Sequence, residues 1–187
     1  MAVYTTITQT EAQKLFKPLG EIKKFEGIRE GVENTNYLVH LNDSKKYILT
    51  IFEKRTNEKD LPYFNKLMRL FHSNGVSCPL SVTIKNEDLF RVNEKPCCIY
   101  SFVEGRPLSK INKEKLNSLG SSIAHLHKSG INSKLFRKNM MLLPSWKNIT
   151  ESFSRNSTKI HIDEYNYILD SINSVSYTHL TLPTINW

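Results

Sequence analysis

The residues best suited to chemistry lie in one short polar segment near the amino terminus. Residues 27–36 read Gly-Ile-Arg-Glu-Gly-Val-Glu-Asn-Thr-Asn, so two glycines stand beside a cluster of short hydrogen-bonding side chains. Glycine lets a backbone approach an anion closely, and amides and small polar groups donate hydrogen bonds to phosphate oxygens. On a β-hairpin this loop could close over nucleotide phosphates. A polar hairpin loop without a ligand is the alternative.

The flanking residues predict the hairpin that would carry this loop. Alternating apolar positions and β-branched residues indicate strands on both sides of the loop and after the turn at residues 42–44. Before the loop, Thr8 and Glu11 have the spacing of a capping box, which predicts a short helix ending at residues 18–20. The strand candidates in this part of the chain are residues 21–26, 36–41 and 46–53.

The rest of the chain changes from strands to helices near Gly105. Asp60 is placed to cap an inserted helix, whose apolar stripe is Leu61, Phe64, Met68 and Phe71. Asn112 is placed to cap a later helix, whose apolar stripe is Leu116, Leu119, Ile123 and Leu126. Further strands are predicted at residues 81–85, 89–93 and 97–103, and a last helix at residues 163–173. This order predicts an α+β fold with a mostly antiparallel sheet of about five strands, followed by helices.

The order of these elements resembles the amino-terminal lobe of a protein kinase. In such a lobe the fifth strand leads into a hinge whose backbone groups pair with adenine. The resemblance makes Ser101, Phe102 and Val103 the hinge candidates, with an ordinary buried strand end as the alternative. The predicted organisation is an ATP-binding lobe at residues 1–104, the start of a helical lobe at 105–174 and a non-native tail at 175–187.

Several segments together resemble the homoserine kinases of the aminoglycoside phosphotransferase and choline kinase-like superfamily. They are FEGIREGVENTNY at 25–37, YILTIFEKR at 47–55, DLPYF at 60–64, GVSCP at 75–79, FVEGRP at 102–107 and AHLH at 124–127. The resemblance covers about residues 1–150. It implies ATP-dependent phosphorylation of the L-homoserine hydroxyl with Mg²⁺, in threonine biosynthesis. It also implies that Gly31, Asn34, Thr35 and Asn36 lie near the phosphates.

The sequence departs from the protein-kinase pattern at the phosphate-binding lysine. Protein kinases place a lysine on the third strand and pair it with a helix glutamate. Thr50 occupies the matching position here, with Lys54 as a possible substitute, and the helix between Leu61 and Asn74 contains no glutamate. The sequence therefore provides no complete counterpart of the usual ion pair, and the same match makes Thr50 a nucleotide-binding candidate.

The sequence also lacks the residues that would perform phosphoryl transfer. The resembled family carries its catalytic Asp and Mg²⁺-binding Asn on an H-x-D-x-x-x-x-N loop, but after His161 and Asp163 the Asn position holds Ile168. We identify no catalytic or metal-ligating residue, and we expect a truncated, inactive fragment. Residues 175–184 resemble a translated sequencing adaptor, with a terminal strand as the alternative.

Composition leaves two other readings open. The net charge of +8 suits an anionic partner, so a nucleic-acid-binding module is one alternative, although the basic residues are dispersed and no reader motif appears. A kinase for choline, an aminoglycoside or another amino alcohol is the second. Because the sequence shows no signal or membrane-spanning segment, we expect a cytoplasmic location and no membrane partner. We also expect buried cysteine thiols, a small-molecule substrate and no nucleic-acid partner.

Overall fold

The computed structural model describes residues 3–108, 110–139, 142–156 and 162–181. Contacts divide the chain into two compact units, Met1–Arg137 and Lys138–Trp187. The first unit contains α1 (Gln9–Phe16), β1 (Ile22–Ile28), β2 (Thr35–Leu41), β3 (Lys46–Ile51), α2 (Leu61–Ser73), β4 (Phe90–Val92), β5 (Lys95–Ser101) and α3 (Lys113–Gly130). The second contains α4 (Leu143–Asn156) and α5 (Ile162–Thr181).

The strands form the antiparallel, five-stranded sheet that the sequence predicts. Their order is β1-β2-β3-β5-β4, so β5 runs through the interior of the sheet between β3 and β4. Because side chains alternate along a strand, β2 buries Thr35, Tyr37, Val39 and Leu41 on one face. The α+β fold class is confirmed.

A single apolar layer joins α1 to one face of the sheet, called here the core face. Ala12 and Phe16 of α1 pack with Val39, Leu49 and Ile99 in a cluster of fully buried side chains. The predicted capping box is present, because the Thr8 side chain accepts from the Glu11 amide while the Glu11 carboxylate accepts from the Thr8 amide. This local signal sets where α1 begins.

The cysteines at residues 97 and 98 are buried, as predicted. Burial raises the pKa of the Cys97 thiol to about 12, since a thiolate would lose its hydration there. Both side chains are therefore packing groups in the sheet.

Helix α2 begins differently from the prediction. Asp60 occupies the N-cap position, but its side chain makes no capping hydrogen bond. Its carboxylate instead forms a 2.7 Å ion pair with Arg137, whose guanidinium also lies over the Phe64 ring. A short 3-10 helix (Glu58–Asp60), capped by Asn57, provides the entry into α2.

The strand predicted at residues 81–85 is wrong. Ser81 makes one isolated bridge to Tyr100, and Ile84 bridges Glu87 across a turn in which Lys85 and Asn86 have positive φ angles. The neighbouring strand β4 is shorter than predicted because Asn93 and Glu94, at φ 47° and 63°, turn the chain directly into β5. Tight left-handed turns therefore replace extended backbone here.

Helix α3 begins after Asn112, whose side chain caps the Lys115 amide as predicted. Its carboxyl-terminal end contacts α2, where His125 Nε2 lies 2.9 Å from the Asn74 carbonyl oxygen. This contact explains why α3 belongs to the first unit although the sheet ends at Ser101. The lobes predicted from the sequence, with boundaries after residues 104 and 174, remain predictions.

The apolar stripe of α3 is exposed in the first unit. Its exposed fractions fall between 37% at Leu126 and 53% at Leu116. The stripe itself is the one predicted from the sequence.

In the part that the structure describes, the second unit contains two helices. Helix α4 was not predicted, and α5 extends beyond the predicted residues 163–173. Residues 175–181 continue α5, so the terminal strand considered for this stretch is wrong over those residues, while its adaptor origin remains a prediction. Among the described residues, no helix is both long and apolar enough to cross a membrane.

Candidate nucleotide-binding cleft

A cleft of about 420 Å³ opens in the first unit on the face of the sheet opposite the core face. We call this face the cleft face. The cleft is formed by β3, β5, the segment that follows β5, and α2. Its lining residues are Ile48, Thr50, Phe52, Met68, Pro79, Tyr100, Ser101, Phe102 and Val103.

Strand alternation places the polar residues of the cleft. Ile48 and Thr50 share one face of β3, while Leu49 between them is fully buried on the core face. In the register with β5, Ile48 lies opposite Tyr100 and Thr50 opposite Cys98. The Thr50 hydroxyl donates to Asn36 Oδ1 across the strands at 2.8 Å, so these two predicted site residues meet directly.

The segment that leaves β5 has a defined hydrogen-bonding pattern. The Ser101 amide donates to the Leu80 carbonyl at 2.8 Å, and the Leu80 amide donates to Ser101 Oγ at 2.9 Å. The next amide, of Phe102, donates to the Lys46 carbonyl at 3.3 Å. Val103 as a residue is 41% exposed, and no backbone bond among the described residues uses its amide. One donor beside the cleft is therefore available.

Lys46 and Glu104 close the outer edge of this segment. The Lys46 ammonium forms a 2.6 Å ion pair with Glu104 and lies 5.1 Å from the centre of the Phe102 ring. Both charged side chains are exposed, so the pair contributes little to stability. Its effect is to hold Phe102 beside the end of β3.

The glycine-containing loop connects β1 to β2. Gly31 adopts φ +112°, a conformation that favours glycine. Asn34 Oδ1 accepts from the Glu53 amide at 3.4 Å, and the Tyr4 hydroxyl donates to the Val32 carbonyl at 3.0 Å. The loop is thus attached both to the end of β3 and to the amino-terminal segment.

Thr35 lies on the core face, beneath this loop. Its hydroxyl accepts from the amides of Tyr4 and Thr5 at 2.9 and 3.0 Å and donates to Glu53 at 2.8 Å. The Thr35 side chain is fully buried and its hydroxyl is fully used. A contact of Thr35 with a nucleotide would therefore come from its backbone.

Glu53 gathers hydrogen bonds from three parts of the first unit. Its carboxylate accepts from Thr5 at 2.6 Å, from Thr35, and from Lys95 in a close ion pair. Burial acts to raise the pKa of Glu53, since its side chain is 9% exposed, but the bonds from Lys95, Thr5 and Thr35 outweigh burial and lower the pKa. The ionised form thus joins the amino terminus to β2 and β5.

The positions of the lysine–glutamate pair of protein kinases hold other residues and contacts in this structure. Thr50 bonds to Asn36, and Lys54 is exposed and lines a separate cavity of about 410 Å³ on the loop side of the unit. Helix α2 is attached to β5 by Asn65 and Tyr100 instead. Neither residue was predicted from the sequence, although the polar Asn65 one helical turn after Leu61 was an available signal.

The predicted site residues thus separate into two groups. Thr50, Ser101 and Val103 line the cleft, with Asn36 bonded to Thr50. Gly31, Asn34 and Thr35 lie in or beside the β1–β2 loop and do not line it. Their role in nucleotide binding remains a prediction for all of them.

The cleft has no carboxylate among its lining residues, so these residues do not fit the oxygen ligand set that Mg²⁺ requires. Across the described residues, no three His, Cys, Asp or Glu side chains are grouped to hold a metal ion. Asp163, from the incomplete H-x-D spacing, is exposed on α5, and His161 lies outside the described residues.

Comparisons with known proteins place this geometry in a family. A profile described as the APH phosphotransferase enzyme family matches residues 24–151. The homoserine kinases of Parvibaculum lavamentivorans and Brucella anthropi are each 37% identical to this chain, over 155 and 150 residues. These alignments cover 81% and 79% of the chain but 48% and 46% of the relatives, so the chain spans about half their length.

Solved structures agree on the fold at lower identity. An amicoumacin kinase bound to AMP-PNP and Ca²⁺ gives a TM-score of 0.65 at 14% identity, covering 93% of this chain and 55% of the kinase. A spectinomycin phosphotransferase bound to ADP and spectinomycin gives 0.60 at 15%, covering 94% and 56%. With the profile matching more than half of its residues, the chain belongs to the APH phosphotransferase enzyme family.

Proposed function

We propose that this chain provides the ATP-binding part of a homoserine kinase, which transfers the γ-phosphate of ATP to the side-chain hydroxyl of L-homoserine in threonine biosynthesis. The observation that carries the ATP-binding part is the cleft that ends at the available amide of Val103. The identity to homoserine kinases supports the acceptor. A cytoplasmic location, where ATP is available, belongs to the same proposal.

In this proposal the adenine ring lies against Ile48 and Tyr100. It pairs with the Ser101 carbonyl and the Val103 amide, and the apolar lining excludes water from both bonds. The triphosphate then runs along β3 past Thr50 and Asn36 toward the loop that contains Gly31. Backbone amides and small side chains there donate to the phosphate oxygens.

The remaining half of the parent enzyme would supply the catalytic carboxylate and the Mg²⁺ ligands. Mg²⁺ neutralises charge on the phosphates during transfer. Because the 187 residues contain no H-x-D-x-x-x-x-N loop, we expect them to bind ATP without phosphorylating homoserine. Phosphohomoserine formed by the purified 187-residue chain would contradict this expectation.

The ATP-binding proposal is tested by removing a single backbone donor. Val103→Pro deletes the amide that would pair with adenine, whereas Val103→Ala keeps the amide and shortens the side chain. We expect the dissociation constant of a fluorescent N-methylanthraniloyl ATP to rise about tenfold in the proline variant, as for a lost hydrogen bond of about 1.4 kcal/mol. Equal affinities of the two variants would contradict the hinge assignment.

The acceptor is tested on the intact parent enzyme. We would measure initial rates with homoserine, choline and spectinomycin at equal concentration. This compares the proposed acceptor with the acceptors of other small-molecule kinases. We expect kcat/KM for homoserine to exceed the others by a factor of 100 or more, roughly, because a site built for the ammonium and carboxylate of an amino acid leaves buried polar groups unpaired with other acceptors. A faster reaction with choline or spectinomycin would overturn the acceptor.

A further inference from the structure

Helix α2 forms one wall of the cleft, and its contact with the sheet has an apolar and a polar part. Leu61 and Phe64 pack in a hydrophobic cluster with residues of the sheet, and Asn65 makes the polar contact. Met68 of α2 lines the cleft together with Thr50 and Tyr100 of the sheet. One turn before Met68, the side chain of Asn65 is 1% exposed and points to β5. The position of α2 therefore sets the width of the cleft, and Asn65 is the buried polar residue at the contact of α2 with β5.

Asn65 has two partners on β5. The Tyr100 hydroxyl donates to Asn65 Oδ1 at 3.0 Å, and Asn65 Nδ2 donates to the Cys98 sulfur at 3.6 Å. Burial raises the pKa of Tyr100, so its hydroxyl keeps its proton and remains a donor at neutral pH. An unpaired Asn65 oxygen at this depth would lose its hydration without compensation. The hydrogen bond from Tyr100 provides that compensation, so its loss should destabilise the contact between α2 and β5.

A second set of bonds holds the next turn of α2. Arg69, four residues after Asn65, donates to Ser81 Oγ at 2.8 Å and to Thr83 Oγ1 at 3.3 Å, and it forms a close ion pair with Asp88. These bonds attach α2 to the turn segment that precedes β4. Neither set of bonds includes Thr50 or Lys54, the positions considered for a nucleotide-binding lysine.

We propose that the Tyr100–Asn65 hydrogen bond is the positioning device that holds α2 against the nucleotide cleft, in place of the lysine–glutamate ion pair that protein kinases use. This inference rests on the proposed ATP-binding function. Because both partners are neutral and belong to the protein, the anchor is formed without nucleotide. Tyr100 has a double role, since its ring lines the cleft and its hydroxyl fixes the helix behind it.

Two readouts on the 187-residue chain test the anchor. Tyr100→Phe keeps the ring in the cleft and removes the hydroxyl. We expect amide hydrogen exchange in α2 to accelerate about tenfold without nucleotide, and the dissociation constant of N-methylanthraniloyl ATP to rise about three- to tenfold, because a wall that is no longer preorganised must be ordered on binding. Binding is measured at 10 °C, after circular dichroism has shown that each variant is folded at this temperature.

The matched control is Tyr47→Phe, which removes a tyrosine hydroxyl from the neighbouring strand on the core face. The Tyr47 ring packs edge-on against Phe16, 6.0 Å between centroids, and does not line the cleft. We expect this variant to leave both α2 exchange and nucleotide affinity within about twofold of the wild type. A general loss of stability would change α2 exchange in both variants alike and would overturn the proposal.

A double-variant cycle distinguishes a joint anchor from two separate packing contributions. If Asn65 and Tyr100 act through one bond, Asn65→Leu combined with Tyr100→Phe weakens nucleotide binding no further than the weaker-binding single variant. Multiplied fold-changes would show independent effects and overturn the proposal. Failure of the wild-type chain to bind nucleotide would overturn the proposed function, whereas unchanged α2 exchange in Tyr100→Phe would overturn this inference.

Discussion

The two faces of the sheet are built from the same strands, but they differ in how completely their polar groups are used. On the core face, Thr35 and Glu53 are surrounded by protein donors and acceptors, and the apolar side chains beside them are buried. On the cleft face, Thr50 bonds to Asn36 beside an open cleft, and the Val103 amide has no backbone partner among the described residues.

This difference shows how one hairpin can serve stability and binding at once. Adjacent residues of β3 point to opposite faces, so Leu49 stabilises the fold while Ile48 and Thr50 line the cleft. Polar groups whose bonds are complete within the protein hold the loop in place. Polar groups with capacity left beside a cleft are those that can bind a ligand. Substitutions matched across the faces should therefore separate stability from affinity.

The largest expected effect comes from the core of the sheet. Leu49→Ala removes a fully buried side chain and should lower the free energy of unfolding by about 3 kcal/mol, through lost transfer energy and a residual cavity. Its neighbour Ile48→Ala, on the cleft face, should cost about 1 kcal/mol while weakening ATP binding. Urea unfolding with nucleotide titration measures both. A reversed order would contradict the assignment of the faces.

The next comparison replaces threonine by valine on each face, first at Thr35 on the core face and below at Thr50 on the cleft face. Thr35→Val should lower the free energy of unfolding by about 2–3 kcal/mol, because the amides of Tyr4 and Thr5 lose their acceptor and Glu53 loses a donor. When an osmolyte keeps the Thr35→Val variant fully folded, it should bind ATP with near wild-type affinity. Selective loss of affinity without loss of stability would place Thr35 at the nucleotide instead.

The Glu53 cluster predicts a pH dependence of stability. Because the folded pKa of Glu53 is lowered below the unfolded value of about 4.3, its ionisation stabilises the fold above that pH, and this contribution disappears as pH falls through the folded pKa. Glu53→Gln should cost about 2 kcal/mol at pH 7 and progressively less in acid. Urea midpoints from pH 7 to pH 3 measure this.

The control for that experiment is Glu26→Gln, which removes a glutamate whose ion pair with Lys24 is exposed. Its cost at pH 7 should stay below about 0.5 kcal/mol. If the wild type and Glu53→Gln lost stability in parallel as the pH fell, the Glu53 bonds would not be the source of the acid sensitivity.

Apart from the Glu26→Gln control, the smallest effect on stability is expected on the cleft face. Thr50→Val keeps the β-branched shape and removes the hydroxyl that donates to Asn36, so the free energy of unfolding should change by about 1 kcal/mol or less. ATP affinity should nevertheless fall about threefold, because Asn36 loses the bond that orients it. Affinity unchanged in Thr50→Val would remove Thr50 and Asn36 from the proposed phosphate path.

The parts of the fold that could be predicted depend on neighbouring residues. The Thr8–Glu11 capping box, the Asn112 cap and the alternation along β2 all act within a few positions, and each was confirmed. The strand at residues 81–85 failed because its backbone turns at Lys85 and Asn86 and because Ser81 bonds to Arg69 on α2. No local pattern contains such a partner.

The candidate site divides in the same way. Thr50, Ser101 and Val103 were predicted from the resemblance to a protein-kinase lobe, and they line one cleft because β3 and β5 are neighbours in the sheet. Tyr100 and Asn65 were missed because their bond joins residues 35 positions apart. The hydrogen bond from Thr35 to Glu53 was missed for the same reason, since Lys95 and Thr5, which complete that cluster, are 90 positions apart.

The sequence by itself determined the family, the α+β order of elements and the glycine-containing loop, because short-range patterns and quoted motifs encode them. The tertiary structure decided which polar residues are used up within the fold and which face an open cleft. That division depends on strand register and on how α2 is anchored to the sheet. Both are set by hydrogen bonds between residues far apart in the chain. These bonds form only when folding brings the two partners together, so no local pattern in the sequence contains them.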